Sequence, residues 1–291
     1  MIRRPHLACL RPPCSRVGLL ALLAPLVPTG LFAVFAVFAQ FVLAAGSTAW
    51  AQTRHLPLAQ VRSGLAFAGA DVRALQADEF GNPAQLWLGR GEQRWREPQG
   101  PAGKSCQSCH GEVQQSMRGV ATRYPAIDVK SGELLNLEDR IRQCRTRRQQ
   151  GPELAWESDD LLALSLHVSQ ASRGQSLRVN IDGPARQHWQ QGERLFLQRQ
   201  GQLNLSCANC HDQNQGRRLF TDILSQGQPN GYPVYRLEWQ GVGSLERRLR
   251  SCLVGVRAEP FAWGALEARQ LSLYLMWRGE GLPLEVPAVR K

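Results

Sequence analysis

One pentapeptide pattern, written twice, constrains this chain more than any other feature. Cys106-Gln107-Ser108-Cys109-His110 recurs as Cys207-Ala208-Asn209-Cys210-His211, 101 residues further on. The surrounding sequence repeats with it. A Gly-Glu pair begins 15 residues before the first cysteine of each copy, at Gly91-Glu92 and Gly192-Glu193. Downstream, the segment from Leu137 to Cys144 matches the segment from Leu245 to Cys252, with five of eight positions identical and Ile141 exchanged for Leu249. Ala155-Trp156 then matches Ala262-Trp263, and Leu164-Ser165-Leu166 matches Leu271-Ser272-Leu273. A chain of 291 residues has room for two domains, and about a hundred residues is an ordinary domain size. The repeat is therefore read as a duplicated domain, over residues 52–175 and 176–291. The linker falls between Arg173 and Pro184, where Gly174, Asn180, Asp182, Gly183 and Pro184 gather.

Each copy reads as helical. Pro83 to Glu97, with apolar Leu86, Leu88 and Trp95 among polar residues, reads as a helix that ends before Pro98. Leu161, Leu164 and Val168 follow helical spacing in the first copy, and Trp263, Leu266, Leu273 and Trp277 do so in the second. The nearest approach to a strand pattern is Tyr232 to Trp239, and it is short. The expected fold class is mainly α, two modules in tandem.

Residues 1–51 lie outside that repeat. Arg3, Arg4, Arg11 and Arg16 stand without an acid, and no charge appears from Val17 to Gly46. Thr48-Ala49-Trp50-Ala51-Gln52 then has the small-x-small form of a cleavage site, so the stretch reads as a secretory signal peptide. An uncleaved anchor competes, because the apolar run is long enough to cross a bilayer. Pro25 and Pro28 interrupt it and no basic stop-transfer cluster follows directly, which favours cleavage after Ala51 and no membrane span thereafter. Cleavage removes four arginines, taking the net charge from +11 to +7, and removes Cys9 and Cys14. The remaining surplus of positive charge suits an anionic substrate or partner. Nucleic acid is disfavoured, since only 7% of residues are aromatic and no recognition motif accompanies the charge. Six cysteines remain in an exported protein, where each should be paired, ligated or reactive.

Cys-x-x-Cys-His is the attachment signature of c-type haem: two thiols add to the haem and the adjacent histidine ligates iron. A thioredoxin-like pair or half of a zinc site would explain one copy. Two copies, each opening an equivalent helical module, favour two covalent haems, held by Cys106, Cys109, Cys207 and Cys210, with His110 and His211 as axial ligands. For the second axial position, Met117 lies only seven residues beyond His110 and Met276 sits in an apolar helix, so both read as packing residues. His55, His167 and His188 have no counterparts in the repeat and read as ordinary surface or cap histidines. What does repeat is Cys144 and Cys252, and a thiolate on ferric haem is sound chemistry that lowers the reduction potential. A Cys144–Cys252 disulfide is the competing reading. Equivalent positions in two separate modules favour ligation instead.

Both cysteines stand among arginines: Arg140, Arg142, Arg145, Arg147 and Arg148 in the first copy, and Arg247, Arg248, Arg250 and Arg257 in the second. For Arg145 to Arg148 a solvated face is expected. Near Cys252 guanidinium groups promote the thiolate and offer forked donors to an oxyanion. Cys252 is followed by Leu253-Val254-Gly255-Val256, an apolar turn in which Gly255 leaves room for an incoming group.

With the haem motifs in place, the stretch Arg248-Leu-Arg-Ser-Cys252-Leu-Val-Gly-Val-Arg257-Ala-Glu-Pro260 resembles the SoxA family, the dihaem subunits of the SoxAX cytochromes of bacterial sulfur oxidation. The resemblance covers nearly all of residues 52–291. It implies two tandem cytochrome-c-like domains, a periplasmic location, a monohaem SoxX-like partner and a SoxYZ-like carrier protein. It implies an L-cysteine S-thiosulfotransferase activity, the oxidative joining of thiosulfate to a carrier cysteine. Residue by residue, it implies Cys144 and Cys252 as axial ligands of the two haems. It makes Cys252, as a persulfide, the catalytic residue and Arg248 its substrate-binding partner. Two other functions stay open at this point: a thiosulfate dehydrogenase forming tetrathionate, and a non-catalytic electron shuttle.

Overall fold

The structure is a computed structural model that describes residues 56–291; the expected signal peptide lies outside the described residues. Helix α1 spans Ala70–Ala77 and α2 spans Gln85–Arg96. The first Cys-x-x-Cys-His motif is itself a short helix, α3, Cys106–His110, followed by α4, Val113–Ser116. A hairpin of β1, Ala126–Ile127, and β2, Leu134–Leu135, leads into α5, Leu137–Arg147, and α6, Asp159–Gln170, closes the module.

The second module repeats this order. Helix α7 is Ala185–Leu197 and α8, Cys207–His211, carries the second motif. Between them and the next hairpin lies one addition, strands β3, Arg218–Leu219, and β4, Asp222–Ile223. The counterpart hairpin is β5, Val234–Arg236, with β6, Gly241–Gly243, followed by α9, Leu245–Gly255, and α10, Leu266–Arg278. The C-terminal strand β7, Ala288–Arg290, adds to β5 in parallel, giving the order β6-β5-β7. The architecture is mainly α as expected. The expected helix over 83–97 is α2, and the weak strand pattern of Tyr232 to Trp239 contains β5.

The repeated Gly-Glu has a packing reason. A Cβ on Gly91 would lie 2.2 Å from the Ala163 carbonyl oxygen, and one on Gly192 would lie 2.1 Å from that of Gln270. Helices α2 and α6, and equally α7 and α10, therefore cross at a distance only glycine permits. Each motif helix starts at a serine: Ser105 accepts from the Ser108 N–H, and Ser206 accepts from the Asn209 N–H. These caps hold the short helices in place when five residues alone could not sustain them.

Buried Leu88, Trp95, Leu161 and Leu164 of the first module and Trp189, Phe196, Leu273 and Tyr274 of the second belong to one core. The expected linker contributes too, with Leu177 fully buried and hydrogen-bonded to Gly281 and Leu282. Trp263 falls before α10 instead of on it and is partly exposed. Among the described residues no helix is long and apolar enough to cross a membrane.

Candidate functional site

In the first module, α2, α5 and α6 enclose a cavity of about 510 Å³. Cys106, His110 and Cys144 all stand on its wall, with Trp95, Leu164 and Val168 among the apolar lining. That volume falls in the range of cofactor pockets, roughly 300–1,000 Å³. The Trp95 indole donates to the Gly111 carbonyl at 3.1 Å, fixing the chain directly after His110. Cys106 is pushed up to about 11 by burial and by the neighbouring Cys144, a poor setting for a thiolate but a suitable one for an uncharged thioether. Cys109 is exposed at the end of the same turn.

The second module gathers the equivalent donors more tightly. The His211 Nδ1–H donates to the Ser225 carbonyl at 2.8 Å, a partner that fixes the ring and turns Nε2 towards the ligand side. Gly227, with φ +71, lies flat against this ring, where a Cβ would come within 2.9 Å of Cγ. His211 and Cys252 are neighbours, and Cys252 also lies near Cys207 and Cys210. Both attachment cysteines and both candidate ligands thus converge. Burial pushes the Cys207 thiol up to about 12.

The two candidate thiolates differ in their surroundings. Burial pushes Cys144 up, against the charges of Arg140 and Arg148. At Cys252 burial is overcome by the His211 hydrogen bond and by Arg248 and Arg236, which bring the thiol down to about 7. No disulfide joins them: each faces its own motif, and all six described cysteines are free. A cavity with histidine and cysteine on its wall in one module, and an oriented imidazole opposite an acidified thiol in the other, fit c-type haem.

Several expectations need correction. Arg145 is buried against the first cavity, and its Nε has no partner among the described residues, so the run 145–148 is not uniformly solvated. Val254 and Gly255 are exposed, so the turn after Cys252 is an outer surface instead of an apolar pocket wall. His167 is no surface histidine: it is buried against Trp95, with ring centroids 6.1 Å apart. Met276 packs in the core as expected, while Met117 lines the first cavity.

Of the arginines near Cys252, Arg250 stacks on Trp263 at 4.3 Å and Arg247 on Trp239 at 4.4 Å. Arg257 is exposed, with φ +58. Arg248 has a long 3.5 Å contact to Glu238 and keeps its charge near the thiol. Sequence reading missed Ser225, Gly227 and Arg236. None lies in the cysteine motifs, and only the repeat alignment of the hairpins signals the last.

Comparison with known proteins agrees with this geometry. Residues 90–177 and 191–284 each match the SoxA/TsdA cytochrome c domain. The chain is 38% identical over 231 residues to the L-cysteine S-thiosulfotransferase subunit SoxA of Rhodovulum sulfidophilum, covering 79% of this chain and 80% of the relative. It is 37% identical over 236 residues to the same subunit of Pseudaminobacter salicylatoxidans, covering 81% and 82%. The crystal structure of SoxXA from P. pantotrophus superposes with a TM-score of 0.77 at 38% identity, covering 79% of this chain and 87% of that one. With two matched domains, a paired set of haem-attachment motifs and relatives of one name along most of its length, the chain belongs to the SoxA family of c-type cytochromes.

Proposed function

We propose that this chain is an exported dihaem subunit that joins thiosulfate oxidatively to a cysteine of a SoxYZ-like carrier protein. It would work with a SoxX-like monohaem cytochrome in the periplasm. On this reading residues 1–51 are the cleaved signal, and 52–175 and 176–291 carry one haem each. Cys106 and Cys109 attach the first, with His110 and Cys144 as ligands; Cys207 and Cys210 attach the second, with His211 and Cys252. The observation that carries the reading is the convergence of Cys252 with His211 and both attachment cysteines, with Arg248 and Arg236 alongside.

Arg248 binds the anionic end of thiosulfate and leaves the sulfane sulfur facing Cys252. Bond formation between the two sulfurs releases two electrons: a thiolate and a dianion become a Cys252-bound thiosulfonate. The carrier thiolate then attacks the sulfane sulfur, a new S–S bond forms, and the Cys252 thiolate leaves with no further change in electron count. Haem, when bound, supplies a one-electron acceptor in each module. Arg248 contributes charge neutralisation throughout, and its forked donors fix the orientation of the sulfonate.

The test is turnover of the complex with thiosulfate, with and without carrier, alongside haem staining of denatured chain. Conjugation that requires the carrier, with two covalent haems per chain, is expected. Tetrathionate formation at full rate without carrier would overturn the assignment in favour of a thiosulfate dehydrogenase.

A further inference from the structure

The two modules share one frame but not one set of charges. Their hairpins pair in identical register: Ala126 with Leu135 and Ile127 with Leu134 in the first, Val234 with Gly243 and Tyr235 with Val242 in the second. The same offset of 108 residues relates Tyr124 to Tyr232 and Arg140 to Arg248, and it makes Asp128 the counterpart of Arg236.

In the first module this frame holds a neutral pair. Arg140 donates to Asp128 at 2.5 Å and to the Tyr124 hydroxyl at 3.4 Å. The Arg140 hydrogen bond holds the Asp128 carboxyl down at about 2. In the second module an arginine replaces the aspartate. Arg236 is only 7% exposed, and its Nε donates to Glu238 Oε1 at 2.8 Å. Arg248 reaches the same oxygen from 3.5 Å. One half-exposed carboxylate therefore serves two guanidiniums, and Asp222, the other carboxylate near Arg248, pairs with Lys291 at 3.2 Å, so one positive charge is left in excess beside Cys252. Arg236 also lies 5.2 Å from the Trp239 ring, but Arg247 holds that ring more closely at 4.4 Å; Arg250 is on Trp263 and Arg290 is paired with Glu285.

We propose that Arg236 is a second anion-binding arginine of the Cys252 site. It takes the sulfonate of thiosulfate jointly with Arg248, and Glu238 is the carboxylate that the substrate displaces. Two guanidiniums match a dianion, whereas at the equivalent position of the first module Asp128 neutralises Arg140. Glu238 is exposed enough to turn into water when a doubly charged group competes for both arginines. The same substitution that separates the modules thus explains why only one of two equivalent cysteines would receive substrate. This inference rests on the reading of Cys252 and Arg248 as the thiosulfate site.

The experiment is steady-state kinetics of the intact complex with thiosulfate and carrier, paired with calorimetric titration of thiosulfate into the reduced complex without carrier, where binding occurs without sulfur oxidation. Arg236→Asp reproduces the residue that the first module already accommodates at this position, so it should fold and keep both haems. KM and the calorimetric Kd should rise about ten- to a hundredfold, the scale of losing a hydrogen bond between charged groups. Glu238→Gln should lower KM severalfold, because the competing charge is gone, and it decides the matter if Arg236→Asp fails to accumulate. Unchanged KM and Kd in Arg236→Asp, or unchanged or raised KM in Glu238→Gln, would overturn the inference. Arg248→Ala and Cys252→Ala are run alongside. If these also retain thiosulfate turnover the underlying site assignment fails, whereas their loss beside an unaffected Arg236→Asp refutes only the second arginine.

Discussion

Glu246 should make this protein less stable as pH rises towards neutrality, and Glu246→Gln should remove that dependence. Glu246 is only 4% exposed, near the N-terminus of Leu245–Gly255. One carboxyl oxygen accepts from the Gly264 N–H at 2.7 Å, and the other has no partner among the described residues. The groups around it repel a charge: Asp139 and Glu157 are close, and the nearest cation, Arg269, already pairs with Asp139 at 2.9 Å. Its repeat counterpart Glu138 lines the same small cavity, of about 70 Å³. Burial pushes Glu246 up to about 7 from an ordinary 4.5. The folded state therefore binds this proton more tightly than the unfolded chain does. The associated stability is complete below about pH 4.5 and lost as pH rises through about 7. A shift of that size corresponds to roughly 3 kcal/mol, an upper figure because Glu157 and Asp139 titrate with it. For a protein of this size it lowers Tm by about 6–12 °C. Thermal unfolding of the haem-loaded protein at pH 4.5 and pH 8 measures it. The fall in Tm between the two pH values should be smaller in Glu246→Gln than in the parent by that amount. An identical fall in both would show that Glu246 does not hold its proton in the folded state.

Two further outcomes follow from close backbone approaches. Gly192→Ala drives a Cβ to within 2.1 Å of the Gln270 carbonyl and 2.7 Å of the Tyr274 Cβ. It should cost about 3 kcal/mol, the upper end for overpacking, read as a lowered Tm. Gly227→Ala meets both a φ of +71 and the His211 ring. It should disturb the absorption and EPR of the second haem while leaving the first unchanged, and equal changes in both would refute the cradle.

The duplication was legible because haem attachment needs fixed spacing, and fixed spacing survives in a linear pattern. The helices at Gln85–Arg96 and Asp159–Gln170 followed from apolar periodicity, and Gly91 and Gly192 announced their packing role by repeating. What escaped notice depends on contacts across long separations. Ser225 acts through its backbone carbonyl, which no side-chain pattern encodes. Arg145 carries a charge that composition assigns to water, yet its position one residue past Cys144 turns it into the cavity. Arg236 was hidden because a three-residue hairpin strand gives almost no periodic signal; only the hairpin register makes Asp128 its counterpart.

The central claim is that two cysteines equivalent by duplication do different work: Cys252 carries sulfur, and Cys144 serves its own module. The direct measurement is turnover of thiosulfate with carrier in Cys252→Ala and Cys144→Ala complexes, each checked for two covalent haems. The account predicts that Cys252→Ala abolishes turnover, while Cys144→Ala keeps most of it and changes mainly the spectrum and stability of the first haem. Turnover near the parent rate in Cys252→Ala would contradict the sulfur relay, and the chain would then be an electron carrier in which Cys252 is a ligand and nothing more.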